Sequence, residues 1–411
     1  MSAARHRAGF TLLVLAAVVS CAAAGCSFGD REDGSQAEGR VLRLVRHQAA
    51  QAAAALLEGD REGFLSSFPA DAGEDAAMAR EDLGDVFDTL SPLRWTSFAF
   101  RVSPVDPAQG VYRISGMGRL GEAGPPDRIA VVRHVRFAGV ADGVSVTADE
   151  TPEDLRSRYL MALHEPVVLQ RRGLVVVGER RARDRAKTVL AAAARARPRL
   201  ERLGIDTGPA AVVTVYGSAG AARAALGVDA AASRLVFFAH PPLRMAAEDW
   251  PVCDVGVMGP WLRDVGGTLD GALRHELAHA YTVQWFAGDA SPPALLVEGI
   301  AQAAEGVDVD ASLRREVETG DQLWPLPGSF ADDDVWAGGD AEAVHLGYQI
   351  GGALIGYVVS HWGAAELRPF VQAVAAAEPT SAGMDEALRG CLGVDWSEFY
   401  DGWRRYVLDG G

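Results

Sequence analysis

Two histidines and a glutamate in the sequence HELAH, residues 275–279, have the types and spacing of a metal-binding catalytic motif. Side chains four positions apart point the same way on an α-helix, so His275 and His279 can present imidazole nitrogens to one metal ion. Glu276 is rotated by about 100° from His275, which places its carboxylate beside the ion rather than on it. The motif therefore predicts two metal ligands and an adjacent acid–base group.

A third ligand is predicted in a second helical segment, SPPALLVEGIAQAAEG, which contains Glu298. Ser291 is a suitable N-cap, Pro292 a suitable first helical residue and Gly306 a C-terminal stop. The loop 286–291 lets this helix fold back on the first. Glu298 would then complete a set of two histidines and one glutamate, with a fourth position left open for water.

The HELAH segment itself has the start and stop signals of a helix. Thr268 is a suitable N-cap, Asp270 lies in the first turn and Gly288 can end the helix. An apolar stripe at helical spacing predicts its buried side: Leu269, Leu273, Leu277 and Ala280. A bare HExxH sequence is equally compatible with a solvated helix face, so the matching Glu298 segment is what favours a metal site.

These motifs resemble the gluzincin metallopeptidases, and specifically the bacterial peptidase-MA-like group. That family combines HExxH on one helix with a glutamate in an EGxA context on the next, and EGIA at 298–301 is similar to it. The resemblance implies that His275, His279 and Glu298 bind Zn²⁺ and that Glu276 is the general base. It also implies a mainly helical zincin-like domain with a small mixed sheet, whose edge strand pairs with an extended peptide substrate.

The chain departs from the family pattern at one place. Many relatives of thermolysin carry an aspartate four residues after the ligand glutamate, where it holds the first histidine, and this chain has Gln302 there. The amide oxygen of Gln302 can still accept a hydrogen bond from His275, without adding charge. The helical stretch 345–363 resembles the family's tyrosine-bearing helix, which implies Tyr348 as donor to the oxyanion and His345 as reserve. A tyrosine packed in a core helix is an equally good explanation.

The composition limits the size of the core and the classes of partner that the protein can bind. The 411 residues are 49% hydrophobic, enough to bury one large core or two ordinary ones. The net charge of −16 argues against nucleic acid and against an anionic membrane surface as partners, since both need a basic patch. A peptide or protein substrate remains the expected partner, and nothing in the sequence sets the oligomeric state.

Residues 1–26 are typical of an export signal, with a basic start, an apolar run from Phe10 to Val19 and small residues after it. The end of this segment resembles a bacterial lipoprotein processing site, at either Cys21 or Cys26. We therefore expect an extracytoplasmic protein that is anchored to the membrane only through a lipid. An ordinary cleaved secretion signal is the alternative, and residues 27–39 are predicted to form a flexible tether.

Residues 40–150 are predicted to form a smaller α+β accessory domain, with three helices followed by an antiparallel meander. The predicted helices and strands are 40–58, 61–68, 76–90, 95–102, 110–119, 127–137 and 143–148. The layout is weakly similar to nuclear-transport-factor-like domains. We find no catalytic constellation in it.

Residues 151–411 are predicted to form the zincin-like domain. Its strands are expected at 166–178, as a possible hairpin, and at 210–216, 235–239 and 254–258, with a helix at 182–203. An acidic, loop-rich segment is predicted at 307–340. Cys253 and Cys391 could form a disulfide in an exported protein or remain two buried thiols.

The sequence predicts an α+β protein, and its resemblance to the gluzincins implies a zinc-dependent metallopeptidase that hydrolyses peptide bonds at the cell surface. Two alternatives remain open. One is a surface-tethered binding lipoprotein whose zincin domain is inert or only stabilised by metal. The other is hydrolysis of a non-peptide amide in the cell wall.

Overall fold

A computed structural model gives the structure of most of the chain. It describes residues 32–93, 95–120, 128–140, 143–156, 159–171, 174–208, 211–218, 220–222, 237–240, 254–258, 269–286, 293–306, 309–319 and 341–411. The predicted export signal, with Cys21 and Cys26, lies outside these residues. So do the predicted helix signals Thr268, Gly288, Ser291 and Pro292, and Cys253, the proposed partner of Cys391.

Three helices open the described chain, as predicted. They are α1 (Glu32–Glu58), α2 (Arg61–Ser66) and α3 (Glu74–Leu90). The prediction of a flexible tether is wrong for its second half, because α1 begins at Glu32 and not near Arg40. Once a helix is nucleated, each added residue gains a hydrogen bond, so polar residues can extend an amphipathic helix beyond its apolar stripe.

The first sheet is the predicted antiparallel meander, with strand order β1-β2-β3-β4. Its strands are β1 (Trp95–Asp106), β2 (Val111–Leu120), β3 (Arg128–Val140) and β4 (Gly143–Asp149). Aromatic side chains fill the space between the sheet and the helices; the ring of Phe64 lies 5.3 Å from that of Phe87 and 6.1 Å from that of Phe100. Helices and meander therefore share one apolar core.

The second sheet is mixed and has the order β5-β6-β7-β9-β8. Its strands are β5 (Pro166–Arg171), β6 (Leu174–Glu179), β7 (Val212–Tyr216), β8 (Phe237–His240) and β9 (Asp254–Met258). β5 and β6 form the expected hairpin, β6, β7 and β9 run parallel, and β8 is an antiparallel edge strand. The short helix α4 (Glu153–Arg156) precedes the sheet, and α5 (Arg183–Arg202) joins β6 to β7.

Both faces of the strands β6 and β7 are buried, each in a different core. Successive side chains on a strand point to opposite faces. Accordingly, Val176 of β6 and Val213 of β7 pack in the core that contains the HELAH helix. Val177 and Val212 pack in the core of the helices and meander that precede the sheet.

The rest of the described chain is helical. The helices are α6 (Leu269–Thr282), α7 (Ala294–Glu305), α8 (Ala311–Thr319), α9 (Ala341–Trp362), α10 (Leu367–Ala376), α11 (Ser381–Cys391) and α12 (Trp396–Asp409). The loop prediction for 307–340 is wrong where α8 lies. Asp310 precedes α8, and its carboxylate accepts hydrogen bonds from the backbone N–H groups of Ser312 and Leu313, which starts the helix.

The overall fold class is α+β, as predicted, with a four-stranded antiparallel sheet and a small mixed sheet among many helices. α9 is the predicted buried helix: Leu354, Ile355 and Val358 are fully buried. Among the described residues, no helix combines the length and the apolar character needed to cross a membrane.

Candidate metal centre

The HELAH residues lie on α6, which is anchored by its opposite side. Leu273 and Leu277 of the predicted apolar stripe are fully buried, and Leu269 and Ala280 pack at its margin. This packing turns His275 and His279 toward α7, where both are mostly buried. Their ring centroids lie 4.9 Å apart, as expected for residues one helical turn apart.

Glu298 of α7 lies between the two imidazoles. Its Oε2 atom is 3.3 Å from Nε2 of His275 and 3.5 Å from Nε2 of His279. One ligand atom from each of the three residues falls within 4.8 Å of the other two. The structure therefore brings together the three predicted ligands, two nitrogens and one carboxylate oxygen, which is a donor set that suits zinc.

The state of the Glu298 oxygen supports a cation at this place. Oε2 is buried, and among the described residues it has no hydrogen-bond partner of acceptable geometry. A buried carboxylate oxygen without a partner costs free energy, and native structures pair such atoms with donors, water or ions. The atom faces two imidazole nitrogens, so a metal ion held by all three would satisfy it. The residues present fit a zinc ion.

The pKa shifts of His275 and Glu298 also favour a bound cation. Burial alone would lower the pKa of His275, but the adjacent carboxylates of Glu298 and Glu305 raise it to about 10. Burial alone would raise the pKa of Glu298, but the two imidazoles hold it well below its ordinary value. Without metal the group thus holds a proton against a carboxylate, and a bound cation would replace that proton.

The position of Glu298 depends on a close crossing of two helices. α7 ends at Gly306, which has the left-handed backbone (φ 82°) that ends many helices. In the middle of α7, Gly299 meets Gly351 of α9. A Cβ atom at Gly299 would lie 2.7 Å from the carbonyl carbon of Gly351, so the two backbones touch only because both residues lack side chains.

The same crossing brings Tyr348 to the metal centre. Its ring centroid lies 6.0 Å from that of His275, and its side chain interacts with that of Glu298. Burial raises the pKa of Tyr348, and the negative charges of Glu298 and Glu276 raise it further. Tyr348 is therefore a neutral donor at physiological pH. The predicted reserve, His345, points elsewhere: it is exposed and lies 3.0 Å from the carboxylate of Asp310.

Glu276 follows His275 on α6. It is half-buried, and its charge helps to raise the pKa of both His275 and Tyr348. Since it is on the same turn of α6 as His275 but rotated from it, its carboxylate can act on a molecule held beside the ligands.

The sequence prediction missed Glu305. Its Oε2 atom lies 3.5 Å from Nδ1 of His275, where the sequence placed Gln302. The side chain of Gln302 turns instead toward α9, where a Cβ atom at Gly352 would lie 2.8 Å from its Cγ. Glu305 follows Glu298 by seven residues, nearly two helical turns, and this spacing was a signal that both face α6.

The edge strand β8 contacts α6 and so lies next to the HELAH helix. Beyond β8 the sheet has no further strand among the described residues, so its outer backbone groups face away from the sheet.

Comparison of the chain with models of known protein families, with curated proteins and with solved structures finds no match.

Proposed function

We propose that this protein is a zinc-dependent hydrolase of peptide bonds, of the gluzincin kind that the sequence resembles. His275, His279 and Glu298 hold the ion, and Glu276 is the acid–base residue. The observation that carries the proposal is the buried Glu298 oxygen, 3.3 Å and 3.5 Å from two imidazole nitrogens and unpartnered among the described residues.

Zinc, when bound, supplies Lewis acidity, which makes water more acidic and polarises a carbonyl group. The other roles belong to the chain. Glu276 takes a proton from the attacking water and passes it to the leaving nitrogen of the cleaved amide. Tyr348 donates its hydroxyl hydrogen to the carbonyl oxygen as negative charge develops there. The mostly buried positions of the ligands keep competing water away from these groups.

The substrate that suits this arrangement is an extended peptide. Among the described residues β8 is the outermost strand on the side of α6, and an extended peptide adds to such an edge as a further strand. We place this activity outside the cytoplasm, on a chain exported by residues 1–26 and held by a lipid on Cys21 or Cys26. In this proposal residues 40–150 are a nuclear-transport-factor-like accessory domain.

The proposal is tested with the purified protein and its Glu276→Gln variant. We expect about one zinc ion per chain in both, because residue 276 is beside the ligands and not among them. Cleavage of a proteome-derived peptide library should fall by about 10²- to 10⁴-fold in Glu276→Gln, the usual contribution of a general acid–base group.

Glu316→Gln is the matched control, since it makes the same change on an exposed position of α8 and should retain full cleavage. A parent protein without bound zinc would overturn the proposed metal centre. Equal cleavage by parent and Glu276→Gln would overturn the proposed mechanism while leaving the metal centre in place.

A further inference from the structure

Glu305, the last residue of α7, lies against the helix that carries the two histidines. Its Oε2 atom is 3.5 Å from Nδ1 of His275, while Nε2 of the same ring lies 3.3 Å from Glu298. The two imidazole nitrogens of His275 therefore face two different carboxylates of one helix. Carboxylates close to both nitrogens favour one orientation of the ring.

A gap in the surface of α6 admits the Glu305 side chain. Gly271 lies one turn before His275, on the same side of α6. A Cβ atom there would lie 3.3 Å from Cγ and 3.4 Å from Oε1 of Glu305, closer than side chains normally pack. The absence of a side chain at 271 leaves room for the Glu305 carboxylate beside His275.

The backbone of Glu305 is also tied to α6. Arg274, the residue before His275, donates from Nε to the carbonyl oxygen of Ala304 at 3.0 Å and from Nη2 to the carbonyl oxygen of Glu305. Arg199 of α5 adds a contact of 3.5 Å to the carbonyl oxygen of Ala303. Two arginines thus donate hydrogen bonds to the terminal carbonyl groups of α7 and fix the place from which Glu305 extends.

We infer that Glu305 is the positioning residue of the metal centre: it accepts a hydrogen bond from Nδ1 of His275 and so directs Nε2 toward the ion. It takes over the role for which the sequence suggested Gln302, from a point one turn further along α7. The inference rests on the proposed metal centre, but it does not depend on which bond the enzyme cleaves. A histidine ligand held by a carboxylate is both better oriented and more basic.

The test measures zinc affinity, by competition with a chromophoric chelator, in the full chain. Loss of such a hydrogen-bond partner typically weakens metal binding by about 10- to 100-fold, and we expect Glu305→Ala to fall in this range. Glu305→Gln should bind more tightly than Glu305→Ala, because its amide oxygen still accepts a hydrogen bond. Glu318→Ala, an exposed change near the end of α8, is the matched control and should bind as the parent does.

Gly271→Ala separates positioning from general stability. Alanine favours a helix over glycine, so the variant should melt at a slightly higher temperature, provided that the flexible carboxylate moves aside. It should nevertheless bind zinc several-fold more weakly, since the displaced Glu305 no longer holds His275. Zinc affinities of Glu305→Ala and Gly271→Ala that equal the parent's would overturn this inference alone, whereas a parent that binds no zinc would overturn the metal centre and the inference together.

Discussion

The Tyr348 side chain interacts with Glu298, a proposed metal ligand, while its ring lies 6.0 Å from that of His275. Its raised pKa keeps the proton on the oxygen, so the hydroxyl group remains able to donate a hydrogen bond. In the proposed reaction it turns its donor from the carboxylate to the developing oxyanion. Removal of one oxyanion donor typically costs about 10²- to 10³-fold in kcat. We expect that loss in Tyr348→Phe, measured with any peptide that the parent cleaves.

Two further measurements separate this role from packing. Tyr348→Phe should retain its zinc and its melting temperature, because the aromatic ring stays in place. Tyr400→Phe, which removes a hydroxyl from a tyrosine stacked on Trp403 in α12, should keep the parent's kcat. If Tyr348→Phe turned over peptides at the parent's rate, Tyr348 would be a core residue and the oxyanion donor would lie elsewhere.

For single residues, local periodicity explains which members of the candidate site could be predicted. His275 and His279 share a helix face by spacing alone, and the helix that carries Glu298 has clear sequence signals. The choice between Gln302 and Glu305 as the partner of His275 could not be made from the local sequence. Both follow Glu298 on α7, and which of them meets Nδ1 of His275 depends on how α7 crosses α6, α9 and the gap at Gly271.

Among the helices, the crossing of α7 and α9 controls the geometry of the centre. Gly299 is the residue after Glu298, and Gly351 lies one turn after Tyr348 on the facing helix. Alanine at Gly299 would place a methyl group 2.7 Å from backbone atoms of Gly351, which cannot move aside as a side chain can. We expect Gly299→Ala to destabilise the fold by about 1–3 kcal/mol, the usual cost of overpacking, and to weaken zinc binding. Urea unfolding and chelator competition measure the two effects.

The matched control is Gly390→Ala in α11, because no atom of the described residues outside that helix's own backbone lies within 4 Å of the added Cβ. That change should stabilise the protein slightly, by up to about 1 kcal/mol, through helix propensity. A Gly299→Ala protein as stable as the parent would mean that the two helices are further apart than the structure shows.

Element prediction succeeded where apolar periodicity was strong. The strands β1–β4 and the hairpin of β5 and β6 all have the alternating or continuous apolar residues that buried strands need. Helix α8 was missed because its nine residues contain only two buried apolar side chains, Leu313 and Val317, and its start depends on the Asp310 cap. The first turns of α1 were missed because polar residues extend a helix without adding to its apolar stripe.

At the scale of the whole molecule, the mixed sheet belongs to two cores at once. The run LVVVGE of β6 is apolar on both faces, which is typical of a strand covered on both sides. The sequence could show that both faces are buried. It could not show that one face meets the helices and meander of residues 40–150, because that contact joins parts of the chain far apart in sequence. The predicted boundary near Thr151 therefore separates two segments that share buried residues.

The shared core predicts that residues 151–411 do not form a stable protein alone. Without the preceding segment, Val175, Val177 and Val212 lose their cover. Each fully buried valine contributes about 1.5–3 kcal/mol, so the three together approach the whole free energy of unfolding of a typical domain, about 5–15 kcal/mol. We expect the fragment to bind a hydrophobic dye and to melt without a cooperative transition, while residues 32–411 unfold in one transition and retain zinc. A fragment 151–411 with the melting temperature and zinc affinity of residues 32–411 would show that the metal centre is independent of the first core.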